Sequence, residues 1–80
     1  MAMTEKKWTA EVAAQLVGKT ITSVSFMSEK AADDWGWSAR PLEINLSDGH
    51  QLLVVADDEG NNGGSVFTTY DDLPTIPTLY

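Results

Sequence analysis

The sequence predicts a small α+β domain in which an N-terminal helix packs on an antiparallel meander of about four strands. An amphipathic stripe at residues 4–17 indicates the helix. A clean apolar alternation at residues 42–47, followed by the hairpin-forming pair Asp48-Gly49, indicates the sheet. The order helix, strand, irregular connection, hairpin, strand is typical of α+β domains, and a small, partly open β-barrel is the alternative closure.

The helix is predicted from an apolar residue at every fourth position. Thr4 or Thr9 can cap its start, and Gly18 is expected just past its C-terminal end. Because the helix is short, we expect it to depend on packing against the sheet. Its stripe comprises Trp8, Val12 and Leu16, widened by Ala13 and Val17.

The first strand is predicted at residues 20–27, which are rich in β-branched and aromatic side chains. Val24 and Phe26 share one face, whereas Ile21 breaks the alternation. We therefore expect a bulge near Ile21, or burial of both faces at that point.

The connection at residues 28–41 is less regular. Residues 29–34 favour a helical turn, and residues 35–41 an extended segment. Pro41 restricts the conformation of Arg40 and limits strand pairing at this point to an edge or a strand start.

The hairpin is expected to return through residues 52–56, a continuous apolar run that favours burial on both faces. Its register is left open by the sequence. A two-residue turn places Leu53 on the face of Ile44, whereas a three-residue turn that includes His50 places Leu52 there.

The second half is predicted to end in a short strand at residues 65–69 and an extended tail at residues 73–80. Two prolines exclude a helix in the tail, which we expect to lie along the sheet with its last residues free to fray. Without repeats or a linker, residues 1–80 are predicted to form a single domain.

The charge is concentrated in one half of the chain. The net charge of −7 belongs to residues 41–80, which carry seven acidic side chains and no Lys or Arg, while residues 1–40 are balanced. This field repels nucleic-acid phosphates and anionic membranes, so we expect a protein partner, preferably a basic one, and neither direct nucleic-acid nor membrane binding. With no cysteine and no segment resembling a signal peptide, a cytoplasmic location is expected.

The acidic loop, residues 56–64, is the first candidate site because it combines three carboxylates with Asn61, Asn62 and three glycines. A calcium-loop interpretation fails on spacing, since neither frame supplies the glutamate required at position twelve. Phosphate-loop spacing is also absent, and the carboxylates would oppose an anion. We therefore predict no dedicated metal site and no cofactor, and a weak, opportunistic cation site in this loop is left open. The residues expected to bind are Asp57, Asp58, Glu59 and Asn61.

A second cluster comprises Trp35, Trp37 and Arg40. On an extended segment the two indoles would share a face, and indoles are common anchors at interfaces. One tryptophan is expected in the core of so small a domain, and the other at a contact surface. His50 is the only histidine and lies beside the turn, so no catalytic constellation is predicted and the chain is not expected to be an enzyme.

The sequence GWSARPLE at residues 36–43, followed by DG at 48–49 and DDEGN at 57–61, resembles small bacterial proteins of no assigned function that share this order. The likeness covers about residues 16–76. It implies a freestanding intracellular domain and carries no activity. It also implies that the 36–43 segment and the acidic loop belong together, with Arg40 reaching the loop's carboxylates.

The function expected from the sequence is that of a small acidic, non-enzymatic binding or protein-interaction module. Its surface would combine the tryptophan cluster with the acidic loop. The alternative is an acidic inhibitor that mimics nucleic acid and occupies a basic groove of its partner. A homodimer through the return strand or an open sheet edge is compatible with either function.

Overall fold

The structure, a computed structural model, describes residues 4–80 and confirms the α+β class; residues 1–3 of the expected single domain lie outside the described range. Strands β1, β2 and β3 form an antiparallel sheet in that order, and β4 pairs with β5 in a separate antiparallel ribbon. Across the described residues these sheets do not close into a barrel. The elements are α1 (Glu5–Leu16), β1 (Ile21–Phe26), α2 (Glu29–Trp35), β2 (Leu42–Leu46), β3 (Gln51–Leu53), β4 (Val66–Phe67) and β5 (Thr75–Ile76).

Helix α1 begins and ends where its local chemistry predicts. The Thr4 hydroxyl accepts a hydrogen bond from the backbone N–H of Lys7 at 3.3 Å, which caps the first turn. Gly18 follows the helix with φ 85°, a conformation that favours glycine. However, no residue of α1 is buried, so the expected packing of this helix on the sheet is not observed.

The connector from α1 to β1 explains why the helix stands apart from the sheet. The backbone N–H of Ser47 donates to the carbonyl of Thr20 at 2.8 Å, and the backbone N–H of Thr20 donates to the Ser47 hydroxyl at 3.2 Å. Lys19 lies 3.8 Å from the Asp48 carboxylate. These contacts tie the connector to the hairpin turn, so α1 leaves from the end of the sheet and not across its face.

Strand β1 contains the expected bulge. Its register against β2 shifts between Ile21, opposite Leu46, and Ser23, opposite Asn45. The extra residue moves Ile21 to the face that Val24 and Phe26 share. The bulge therefore explains why Ile21 does not fit the alternation of apolar and polar residues in this strand.

The hairpin has a three-residue turn, residues 47–49, in which Gly49 adopts φ 87°. Ile44 lies opposite Leu52, which settles the face that the sequence left open; His50 bonds back to Leu46 and is not part of the turn. The predicted burial of the return strand is wrong, because Leu52 and Val55 are exposed. Only one face of β3 is covered: Leu53 packs against the core, whereas Leu52 on the opposite face is exposed.

The tail pairs with the body of the domain. β5 lies opposite β4, and Leu79 exchanges two backbone hydrogen bonds with Arg40, at 2.7 and 3.0 Å. The tail end is therefore held to the 36–41 segment, and the expected fraying is not observed at Leu79 because its backbone groups are paired with those of Arg40.

The core lies under α2 and the segment that follows it. Its central cluster is formed by Met27, Ala32 and Trp37, with Ala31 and Leu53 packed against it. Pro41 is fully buried. The compact part of the molecule is therefore the junction between α2, β2 and the acidic loop.

Candidate functional site

Helix α2 positions the two tryptophans of the candidate site. The Ser28 hydroxyl accepts from the backbone N–H of Ala31 and caps the helix, which ends when Gly36 adopts φ 77°. Trp35 is the last helical residue, and Trp37 follows the left-handed turn. The expected extended conformation is therefore wrong, because Trp35 ends a helix and Gly36 is left-handed, although the two indoles do lie in contact.

The sequence predicts one tryptophan in the core and one at the surface, and the structure shows which is which. Trp37 is 5% exposed and belongs to the core, whereas Trp35 is 62% exposed. Their ring centroids lie 5.1 Å apart with the planes inclined at 59°, a tilted arrangement favourable for aromatic pairs. The buried ring supports the exposed one.

Trp37 also holds the acidic loop. Its indole Nε1 donates to the backbone carbonyl of Gly60 at 2.7 Å. Gly60 has φ 69° and lies against the same ring, so the loop turns directly over the indole.

Asn62 makes the second attachment of the loop. Its side-chain oxygen accepts from the backbone N–H of Ala39 at 3.0 Å and of Gly63 at 2.9 Å, and its Nδ2 donates to the Ser38 hydroxyl at 2.9 Å. The Asn62 side chain therefore forms three hydrogen bonds, two with the 36–41 segment and one within the acidic loop. The expectation that the 36–43 segment and the acidic loop lie together is met by these bonds.

Gly63 allows the closest approach between the two segments. A Cβ atom at this position would lie 2.7 Å from Pro41 Cδ and 3.0 Å from the Ala39 carbonyl oxygen. No side chain fits there without displacing the buried proline, which explains the need for glycine.

Asp57 organises the loop internally. Its carboxylate accepts from the backbone N–H groups of Glu59 and Asn61 at 3.1 and 3.2 Å, and from Asn61 Nδ2 at 2.8 Å. The Asn61 side-chain bond, followed by these backbone bonds, lowers the pKa of the Asp57 carboxyl. Asp57 and Asn61 are therefore structural residues of the loop, and its neighbours Asp58 and Glu59 carry the outward charge.

Arg40 does not anchor the loop, contrary to expectation. Its Nε donates to the backbone carbonyl of Met27 at 2.8 Å, and its own backbone pairs with Leu79. Within residues 4–80 no ion pair joins it to the acidic loop. The guanidinium is directed to α2 because the 36–41 segment, paired with the tail, turns that way.

A small cavity of about 210 Å³ lies beside Arg40 on the side of α2. Glu29 and Asp33 contribute carboxylates to its lining, and Tyr80 also lines it. The only signal for these residues in the sequence is the i, i+4 spacing of Glu29 and Asp33, which places the two acids on one face of α2. For Asn62 and Gly63 the sequence indicates turn geometry, since two asparagines before two glycines are typical of a shaped turn, but it does not indicate their contact with the 36–41 segment.

In the part of the chain from residue 4 onward, no group of three acidic or histidine side chains is arranged to hold a metal ion. The His50 side chain is 82% exposed, and its Nδ1 lies 3.3 Å from the Asp48 carboxylate. The pKa of the Asp48 carboxyl is lowered, chiefly by the hydrogen bond from the backbone N–H of His50.

No helix in the described residues has both the length and the apolar character needed to cross a membrane.

The site is therefore part of a small α+β domain in which exposed Trp35 packs on buried Trp37, and Trp37 in turn holds the folded acidic loop. Comparison of the chain with protein-family models, with curated proteins and with solved structures finds no match.

Proposed function

We propose that this chain is a non-enzymatic protein-interaction module that binds a basic segment of a partner protein. The single observation behind this proposal is the exposed indole of Trp35, which rests on buried Trp37 at 5.1 Å. Tryptophans in fixed orientations are frequent anchors of protein interfaces, because a preorganised ring loses little conformational entropy on binding.

The acidic loop supplies the second property of this surface. It is attached to the tryptophan pair through the bond from Trp37 to Gly60. Asp58 and Glu59 are exposed and, within residues 4–80, form no ion pair. A Lys or Arg of the partner can stack on the indole face, and the uncompensated carboxylates of the loop attract a basic segment to this side of the domain.

A nucleic-acid mimic is the alternative function, and the geometry supports it less well. Mimicry needs carboxylates spread along a surface as phosphates are spread along a strand. In the acidic loop, Asp57 directs its carboxylate into its own turn, so two charges of this triplet are available to a partner. The lack of cysteine agrees with a reducing compartment, and we propose that the module acts in the cytoplasm.

The test is affinity capture from the lysate of cells that carry the gene, with the wild-type chain, Trp35→Ala and Phe67→Ala as baits. Phe67 is a suitable control because it is an exposed aromatic residue on the separate β4–β5 ribbon. We expect wild type and Phe67→Ala to retain the same partner and Trp35→Ala to lose it. Raising salt from about 0.05 M to about 0.5 M should weaken capture without abolishing it.

Two results would contradict the proposal. Equal retention by Trp35→Ala would remove the indole from the interface. Displacement of the partner by duplex DNA at low salt, with Trp35→Ala still binding, would instead assign the chain to the nucleic-acid mimics.

A further inference from the structure

Helix α1 carries an apolar stripe that no other part of the described chain covers. Trp8 is 54% exposed and Val12 47%, although both lie on the face that an amphipathic helix normally buries. A helix of 12 residues is marginal in water without tertiary packing. The stripe therefore needs a partner surface.

The sheet has an uncovered apolar groove of about 460 Å³. Val24 of β1 is 54% exposed at its centre, and β1 is also an edge strand of the sheet. The groove is lined by apolar residues only: Ile21, Val24, Phe26, Leu42, Ile44, Leu73, Ile76 and Pro77.

The exposed area of the whole chain is too large for a compact monomer. The solvent-accessible surface is 6151 Å², whereas a monomer of this mass exposes about 4,700 Å². The radius of gyration is 14.2 Å, against about 12 Å for a compact domain of this length. The excess of about 1,400 Å² per chain amounts to about 2,800 Å² for two chains, within the range of obligate homodimers.

We propose that the chain forms a two-fold dimer in which α1 of each copy lies in the sheet groove of the other. Both complementary surfaces are present in the same chain, so one reciprocal contact covers both in each copy. Their lengths agree, since α1 spans about 18 Å and β1 about 20 Å.

The charge distribution permits a second copy in the groove despite the net charge of −7 of each chain. The groove contains no charged residue, so no like charges meet in its centre. Helix α1 carries Glu5 and Glu11 beside Lys6 and Lys7, so it is neutral overall and meets no net repulsion from the acidic half of the other copy. The bonds of Thr20 to Ser47 keep α1 directed away from its own groove.

Sedimentation equilibrium and native mass spectrometry of the full chain test the dimer. We expect a mass of twice 8.7 kDa for the wild type. Val12→Asp, on the stripe, and Val24→Asp, in the groove, should each raise the dissociation constant at least about 100-fold. Ala14→Asp adds the same charge on the opposite side of α1 and should leave the dimer unchanged.

Because α1 contains no buried residue, Val12→Asp can be expected to keep the fold of the rest, which circular dichroism verifies. A wild type that sediments at 8.7 kDa at every concentration overturns the proposal. So does a dimer that survives Val12→Asp.

The absence of native cysteine allows the geometry of the contact to be tested separately. Chains carrying Val12→Cys and chains carrying Val24→Cys are mixed and oxidised, with Ala14→Cys in place of Val12→Cys as the control. We expect disulfide-linked heterodimers from the first mixture and not from the second, since the bond requires close approach of the two positions. Crosslinking of Val12→Cys chains only to each other would mean that helix pairs with helix and would overturn the arrangement.

Discussion

The indole Nε1 of Trp37 donates a 2.7 Å hydrogen bond to the carbonyl of Gly60, joining the end of α2 to the acidic loop. This bond connects the buried core to the proposed binding surface, because Trp35 rests on the same ring. The position of the acidic loop and that of the exposed indole therefore depend on one side chain.

Trp37→Phe removes this bond while it keeps an aromatic ring in the core. We expect a loss of about 2 kcal/mol in the free energy of unfolding, since the Gly60 carbonyl loses its donor in a partly buried place. For a domain of this size the loss corresponds to a Tm lower by roughly 8–16 °C, measured at fixed protein concentration. Trp35→Phe is the control and should change Tm little, because its ring is exposed. A Trp37→Phe variant as stable as wild type would refute the role of the bond.

Asn62→Ala leaves two backbone N–H groups, those of Ala39 and Gly63, without their acceptor. We expect about 2 kcal/mol of destabilisation in urea unfolding, because unsatisfied donors retain their full desolvation penalty. Ser38→Ala breaks only the outer bond from Asn62 Nδ2, and its effect should be about 0.5 kcal/mol. Equal effects of the two variants would show that the backbone donors find other acceptors.

The features that the sequence predicts correctly depend on short-range chemistry. The Thr4 cap, the positive φ of Gly18 and the bulge at Ile21 follow from residues within a few positions of one another. The hairpin at residues 48–49 belongs to the same group, although its turn also takes in Ser47.

The features that the sequence misses depend on long-range contacts or on one backbone angle. The left-handed conformation of Gly36 ends α2 between the two tryptophans and leaves their rings in contact, a geometry that the alternation of an extended segment cannot reveal. Arg40 bonds to Met27 and not to the acidic loop because the tail, through Leu79, fixes its backbone. The exposure of α1 follows from the connector's bonds to the hairpin, a contact without any local signature.

The Asp57 carboxyl makes part of the loop's stability dependent on pH. Its pKa is lowered in the folded chain, first by the Asn61 side chain and then by backbone N–H groups. A lowered folded-state pKa stabilises the fold above the unfolded-state value of about 4, and this contribution is lost as the pH falls through the folded-state pKa. We expect Asn61→Ala to bring the Asp57 pKa closer to its ordinary value, measured by NMR titration of the carboxyl carbon. The difference in Tm between wild type and Asn61→Ala should therefore be present at neutral pH and shrink below about pH 4. A Tm difference between wild type and Asn61→Ala that grows as the pH falls would contradict the lowered pKa of Asp57.

Gly63→Ala tests whether the close contact of the acidic loop with Pro41 determines the binding surface. The added Cβ would lie 2.7 Å from Pro41 Cδ, and the proline is fully buried and cannot yield. We expect the loop to move outward, with a destabilisation of about 3 kcal/mol from overpacking. Gly49→Ala is the matched control: its φ of 87° is unfavourable for alanine but the space around it is open, so about 1 kcal/mol is expected.

The displacement in Gly63→Ala should also be visible at Trp37. If the loop moves, its Gly60 carbonyl leaves the indole and water replaces it, so the tryptophan emission shifts to longer wavelength. Partner capture should weaken although Trp35 itself is unchanged, since its supporting ring is then less firmly held. Gly49→Ala, remote in sequence from this contact, should alter neither the emission nor the capture. Normal capture by Gly63→Ala together with a shifted emission would show that the indole binds the partner independently of the acidic loop.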